Sequence, residues 1–224
     1  MSSKSVVYTT IFGDYDKLID PVADLKGIKC ICFTDNENIK SNIWDVRVIK
    51  PHIPGDSCRS ARYVKINAHL FLSEFEHSMY IDGNMLLKSV PDIPTVLDGH
   101  KFSMEPHRGR DCVYDEADAC KLLEKDNSVV LDEQIRIYKE LGYPSHAGLY
   151  GSGIHFKAHN DPSLIDRCSN WWEHVARYSM RDQISFPVAF YDYPIKDMTV
   201  ALMNECVTIT TLHPCLWKFR VAKL

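Results

Sequence analysis

The sequence has no run of about 18 apolar residues, so no membrane-spanning helix is expected. It has no GxSxG, no Walker-type GxxxxGK and no GxGxxG motif. That argues against nucleophile-elbow hydrolases, P-loop phosphate binders and dinucleotide-binding Rossmann enzymes. Its 8 cysteines include no CxxC pair, so a structural zinc site is not expected. The opening Met1-Ser2-Ser3-Lys4-Ser5 lacks the apolar core of a secretory signal. With 45% hydrophobic residues, the chain does not need disulfide staples. The cysteines are read as mostly free, buried thiols of a reducing compartment, and a soluble, cytoplasmic protein is expected. A net charge of only -4 leaves no nucleic-acid footprint. Neither repeats nor low-complexity tracts nor a linker interrupt the 224 residues, so one domain over residues 1–224 is expected.

What is present alternates. Ser5–Ile11 is rich in β-branched residues and stops at Phe12-Gly13-Asp14, the pattern of a strand entering a turn. Further strands are expected at 28–33 and 44–49, the first of these stopped by Thr34-Asp35-Asn36. The thiols of Cys30-Ile31-Cys32 are expected on opposite faces of that strand. Residues 60–72 have helical spacing, with Arg59, Arg62 and Lys65 three apart along one face. His77–Ile81 is a fourth strand that ends at Asp82. This β-β-β-α-β order implies an α/β domain, whose ligands sit beyond the carboxyl ends of the strands. Later in the chain, helices are expected over 115–124, 131–141 and 164–178, and strands over 154–158 and 206–211. Residues 183–190 are of mixed character.

Several constellations could carry chemistry. Asp82-Gly83-Asn84 offers one carboxylate, one amide oxygen and a glycine that lets a ligand approach the backbone. Divalent Mg²⁺ or Mn²⁺ takes such oxygen ligands together with substrate phosphates. Asp, Gly and Asn are also the commonest turn residues, and the tripeptide alone favours a turn. Arg59, Arg62 and Lys65 could neutralise a diphosphate or form a solvated helix face. Thr9, Thr10 and Asp35 lie at strand ends, where they could meet a nucleoside or cap turns. His107-Arg108, Glu116 and Arg181-Asp182-Gln183 are dense polar patches, suited to sugar hydroxyls or to helix ends. His213 closes the last expected strand and is a candidate third metal ligand.

The segments 7–16, Cys32-Phe33-Thr34-Asp35, Tyr80-Ile81-Asp82-Gly83-Asn84, His107-Arg108, 112–117, Gly142-Tyr143-Pro144, Gly148-Leu149-Tyr150, Trp171-Trp172-Glu173 and 181–186 form an ordered series. In it the chain resembles a glycosyltransferase-like family that includes plant mucilage-related and turgor-regulation proteins, with bacterial and viral relatives. The resemblance implies a GT-A type, Rossmann-like mixed sheet flanked by helices. It puts Asp82 and Asn84 in the place of a DxD metal motif, with His213 completing the metal shell. It sets Thr9, Thr10, Ile11, Phe12, Tyr15 and Asp35 around the nucleotide. Arg59, Arg62, Lys65 and Gly83 then lie near the phosphates, and His107 and Arg108 near the donor sugar. Glu116, Arg181, Asp182 and Gln183 become candidates for catalysis. The implied activity is transfer from a nucleotide sugar, expected to be a UDP-sugar, to a glycan hydroxyl with Mn²⁺ or Mg²⁺. His213 favours retention of configuration; an inverting enzyme would use Asp182 or Glu116 as base.

Two departures stand out. The second acid of the motif is Asn84. After Tyr150, where relatives often carry an acid, the chain reads Gly151-Ser152-Gly153. The alternatives are a ceramidase-like amide hydrolase and a non-catalytic glycan-binding domain on the same scaffold.

Overall fold

Alternation along the first strand divides the core into layers. In β1 (Ser5–Ile11), Val7 and Ile11 enter one buried cluster; Val6, Tyr8 and the following Phe12 enter another. β2 (Lys29–Thr34) repeats the division, with Cys30 and Cys32 on the first side and Ile31 and Phe33 on the second. The two thiols therefore share a face, contrary to the expectation above, because the side-chain period of a strand is two residues. Both faces are covered, which is why these strands read as nearly unbroken apolar runs.

The computed structural model describes residues 4–22, 24–25 and 27–210. After β3 (Trp44–Val48) come helix α1 (Ser57–Ile66), a 3-10 turn (Ala68–Leu70), β4 (His77–Ile81) and β5 (Met85–Leu87). Next are α2 (Ile93–Leu97), β6 (Phe102–Pro106), α3 (Val113–Leu122), α4 (Ser128–Glu140) and β7 (Tyr150–Lys157). The described part closes with α5 (Pro162–Arg177), α6 (Asp182–Ala189), β8 (Lys196–Asp197), α7 (Val200–Cys206) and β9 (Val207–Ile209). Seven strands form one mixed sheet in the order β3-β2-β1-β4-β7-β6-β8, and β5 pairs with β9 in a small second sheet. β1, β2, β3 and β4 run parallel, and β7 is antiparallel to both β4 and β6. The carboxyl ends of β1 and β4 are thereby neighbours at one edge of the sheet.

Helix α1 starts where Asp56 accepts a hydrogen bond from the Arg59 N–H at 2.8 Å, a side-chain cap that precedes the expected start. It stops at Asn67, whose side-chain amide and backbone N–H both bond to the Tyr63 carbonyl. The expected helix over 60–72 is thus shorter and shifted. Of residues 183–190, all but Phe190, the C-cap residue, lie in a helix, α6. It is buried between the α5 layer and the α3–α4 layer, with Phe186 in one cluster and Ile184 in the other, so it shows no single apolar face. The strand expected over 206–211 is present as the three-residue β9, led in by α7.

Candidate active site

Beyond the ends of β1 and β4 lies a cleft of about 560 Å³. Its floor comes from β4. Tyr80 and Asp82 lie two apart, so both project to the α1 side of the sheet. The Tyr80 hydroxyl donates to Asp82 Oδ1 at 2.9 Å and lies 3.2 Å from Thr10 Oγ1. The Asp82 backbone N–H bonds across to the Gly153 carbonyl of β7 at 2.8 Å, which fixes where this carboxylate leaves the sheet.

The wall is α1, which turns Cys58, Ala61, Arg62 and Lys65 into the cleft, a stripe at spacings of three and four. The Lys65 ammonium, 5% exposed, is 2.7 Å from Asp182 Oδ2 and 3.6 Å from Asp82 Oδ1. It also sits over the Tyr80 ring, 4.8 Å from its centroid. Arg62 Nε lies 3.5 Å from Asp182 Oδ1, and its Nη1 donates to the Cys58 carbonyl at 3.2 Å. Asp182 is the first residue of α6, where the helix dipole favours a carboxylate. Burial alone would raise its pKa. Lys65 and Arg62 outweigh burial and hold the carboxyl well below the usual carboxylate range. Burial works against the charged form of Arg62, and Asp182 overcomes it, so that guanidinium is held even more firmly in its charged form.

The charges around the cleft balance. Asp16, Asp82, Glu124 and Asp182 face Arg62, Lys65, Lys125 and Arg181. Arg181 Nε is buried without a hydrogen-bond partner among the described residues. An unpaired buried donor is costly until an acceptor fills it. An anionic ligand would supply that acceptor.

Of the residues expected from sequence, the cleft gathers Thr10, Ile11, Phe12, Tyr15, Arg62, Lys65, Asp82, Gly83, Asn84, Arg181 and Asp182. The others lie elsewhere. Thr9 is buried in β1. Asp35 accepts from the Gly13 N–H at 2.9 Å and so fastens the turn that follows β1. Arg59 bonds to Asp56 and to the carbonyls of Val175 and Tyr178, tying α1 to the end of α5. It parts from Arg62 and Lys65 because each three-residue step falls about 60° short of a full helical turn. His107 Nδ1 accepts from the Arg110 N–H at 2.9 Å, and Arg108 pairs with Glu105 at 2.7 Å. Glu116 is buried against Arg110 at 2.6 Å, and Gln183 donates to the Tyr150 carbonyl at 2.8 Å. His213 falls outside the described residues.

Sequence reasoning missed Tyr80 as a partner of Asp82. The period of two within β4 was the available signal. It also missed Gly153. A Cβ there would lie 2.6 Å from Met85 Cε and 3.0 Å from Asp82 Oδ2. The glycine that looked like a departure leaves room for the Asp82 carboxylate.

A divalent cation suits what surrounds Asp82. Asp82 is 40% exposed, its Oδ1 is engaged by Tyr80, and Asn84 lines the same cleft. These are hard oxygen donors, appropriate to Mg²⁺ or Mn²⁺.

A mixed sheet of this order, with its cleft at the ends of the parallel strands, is a GT-A type glycosyltransferase fold. Two solved structures share it. The bifunctional glycosyltransferase WbbM, in its apo form, superposes with a TM-score of 0.54 at 11% identity, over 88% of this chain and 39% of that one. Mouse xyloside xylosyltransferase 1, also apo, gives 0.52 at 9% identity, over 87% and 85%. The chain belongs to the TOD1/MUCI70 glycosyltransferase-like domain family, whose model matches residues 1–214. It is 27% identical over 184 residues to "Probable hexosyltransferase MUCI70" of Arabidopsis thaliana. That match spans 75% of this chain and 31% of the relative.

Proposed function

We propose that this chain transfers a sugar, a hexose or a pentose, from a nucleotide sugar to a glycan hydroxyl with a divalent cation bound at Asp82. The observation that carries the reading is the charge balance of the cleft. Four carboxylates already offset four cations, and the buried Arg181 Nε still lacks an acceptor. A nucleoside diphosphate would satisfy that donor, yet it would bring two or more negative charges that the side chains alone do not offset. Mn²⁺ or Mg²⁺ held by Asp82 and Asn84 would supply the missing positive charge and stabilise the departing diphosphate. His213, in the part of the chain not described, remains the proposed third ligand. UDP is the proposed nucleoside diphosphate.

In this reading Arg62 and Lys65 provide fixed positive charge beside the leaving group and cost no reorganisation during reaction. Asp182 holds both cations in place. Its lowered pKa makes it a weak proton acceptor, and Glu116 does not line the cleft and pairs with Arg110. Neither is set up as the base that inversion needs. That favours retention, with the diphosphate taking the acceptor proton.

The test is thermal stability with UDP and a panel of UDP-sugars, with and without Mn²⁺, for the native chain and for Asp82→Ala. A ligand that binds only the folded state raises the midpoint by mass action. A Mn²⁺-dependent rise in the native chain, lost in Asp82→Ala, is expected. An undiminished rise in Asp82→Ala overturns the metal assignment, and no rise with any nucleotide overturns the donor class.

A further inference from the structure

Away from the cleft, the turn that enters α3 meets the loop that precedes β7. Cys112 is the N-cap residue of α3, Asp115 stands in its first turn, and His146 comes from the loop. A thiol, a carboxylate oxygen and an imidazole nitrogen from these three lie within 4.8 Å of one another. We propose that Cys112, Asp115 and His146 form a zinc site, distinct from the oxygen-lined cleft.

The donor set decides the metal. Sulfur, nitrogen and oxygen together suit Zn²⁺, whereas Mg²⁺ and Mn²⁺ take oxygen. Zinc distances of about 2.0–2.3 Å require the donors to close slightly. Asp115 and His146 are exposed, and Cys112 is the buried anchor. A second carboxylate is already in place, since His146 Nδ1 is 2.7 Å from Asp111 Oδ1. This is the outer partner that commonly orients a metal-bound histidine.

Two hydrogen bonds hold the loop against α3 and the turn before it. The Gly148 N–H bonds to the Asp111 carbonyl at 2.9 Å, and the Tyr114 hydroxyl to the Tyr143 carbonyl at 2.5 Å. His146 itself adopts a left-handed backbone, φ 56°, rare for a residue with a side chain. Zinc here would brace the loop from which β7 starts, and β7 carries Ser152 to the cleft and Gly153 to Asp82. Sequence spacing hides the site, because two donors come from one turn and the third from a distant loop.

Zinc titration of the chelator-treated full chain, read by a competing chromophoric chelator, tests it. One equivalent is expected. His146→Ala and Cys112→Ser should each weaken binding more than tenfold, and Asp111→Asn about tenfold. Asp82→Ala and His213→Ala should leave it unchanged. Co²⁺ in place of Zn²⁺ should give a thiolate charge-transfer band that Cys112→Ser removes. His146 is exposed, so its variant should fold even if Cys112→Ser does not. Native-like zinc binding in His146→Ala, loss of binding in Asp82→Ala or in His213→Ala, or no binding at all, overturns the proposal.

Discussion

Lys65 and Asp182 meet 2.7 Å apart with both side chains almost wholly buried. One comes from the last turn of α1 and the other from the first turn of α6, so their contact joins two helices that line the cleft. A buried charge left without its partner is expensive. Asp182→Asn and Lys65→Met should each cost about 3–5 kcal/mol of stability, measured by denaturant unfolding. The double variant Lys65→Met/Asp182→Leu should lose clearly less than the sum. Single variants within about 0.5 kcal/mol of the native chain would show that the pair is not a structural unit.

Gly153 faces the Asp82 carboxylate. In Gly153→Ala the new methyl group would meet Asp82 Oδ2 at 3.0 Å and the flexible end of Met85 at 2.6 Å. Met85 can move aside; the carboxylate must turn. Mn²⁺-dependent nucleotide affinity should fall at least tenfold, about 1.4 kcal/mol, while the fold persists. Calorimetric titration checks this, and unchanged affinity would argue that Asp82 does not hold the cation.

Arg59 was expected near the phosphates, but the structure ties it to Asp56, Val175 and Tyr178. Arg59→Met should therefore lower stability by about 1.5–3 kcal/mol, the cost of charge-assisted hydrogen bonds. Nucleotide affinity, measured well below the melting temperature, should not change. A selective loss of affinity at full stability would return Arg59 to the binding site.

His159 sets an acid limit. Its Nε2 donates to the Leu72 carbonyl at 2.9 Å and its Nδ1 lies 3.0 Å from Ser78 Oγ. Burial lowers its pKa from 6.5 to about 4. The unfolded chain then binds more protons than the folded one between those values. The His159 contribution is therefore complete above pH 6.5 and declines as pH falls towards 4. Unfolding experiments from pH 4 to 8 should show this slope, and His159→Gln should flatten it. An identical slope in His159→Gln would assign the acid sensitivity to other groups.

Much of the scaffold is legible in the sequence for a simple reason. β1, β2 and β4 are short, apolar on both faces and ended by turn residues, so alternation and punctuation suffice to find them. α6 is not legible, because it is enclosed on several sides and contains Pro187. β6 was missed for a similar reason: Phe102, Ser103, Met104 and Glu105 are all buried, so polar and apolar residues give no contrast. Asp82, Arg62 and Lys65, which line the cleft, are legible because they stand at a strand end or on a helix. Arg59 misled because regular spacing was taken for a common face.

The sequence by itself determined the α/β class, the Asp82 turn at a strand end and, through ordered local segments, the resemblance to a glycosyltransferase family. These are properties of neighbours in the chain, set by the strand and helix periods. Only the tertiary structure decided which charges meet. It placed Asp182 between Lys65 and Arg62, sent Arg59 to α5, put Gly153 against Asp82 and brought His146 to Cys112. Those contacts join residues far apart in sequence, and burial there sets their energies, so no local pattern encodes them.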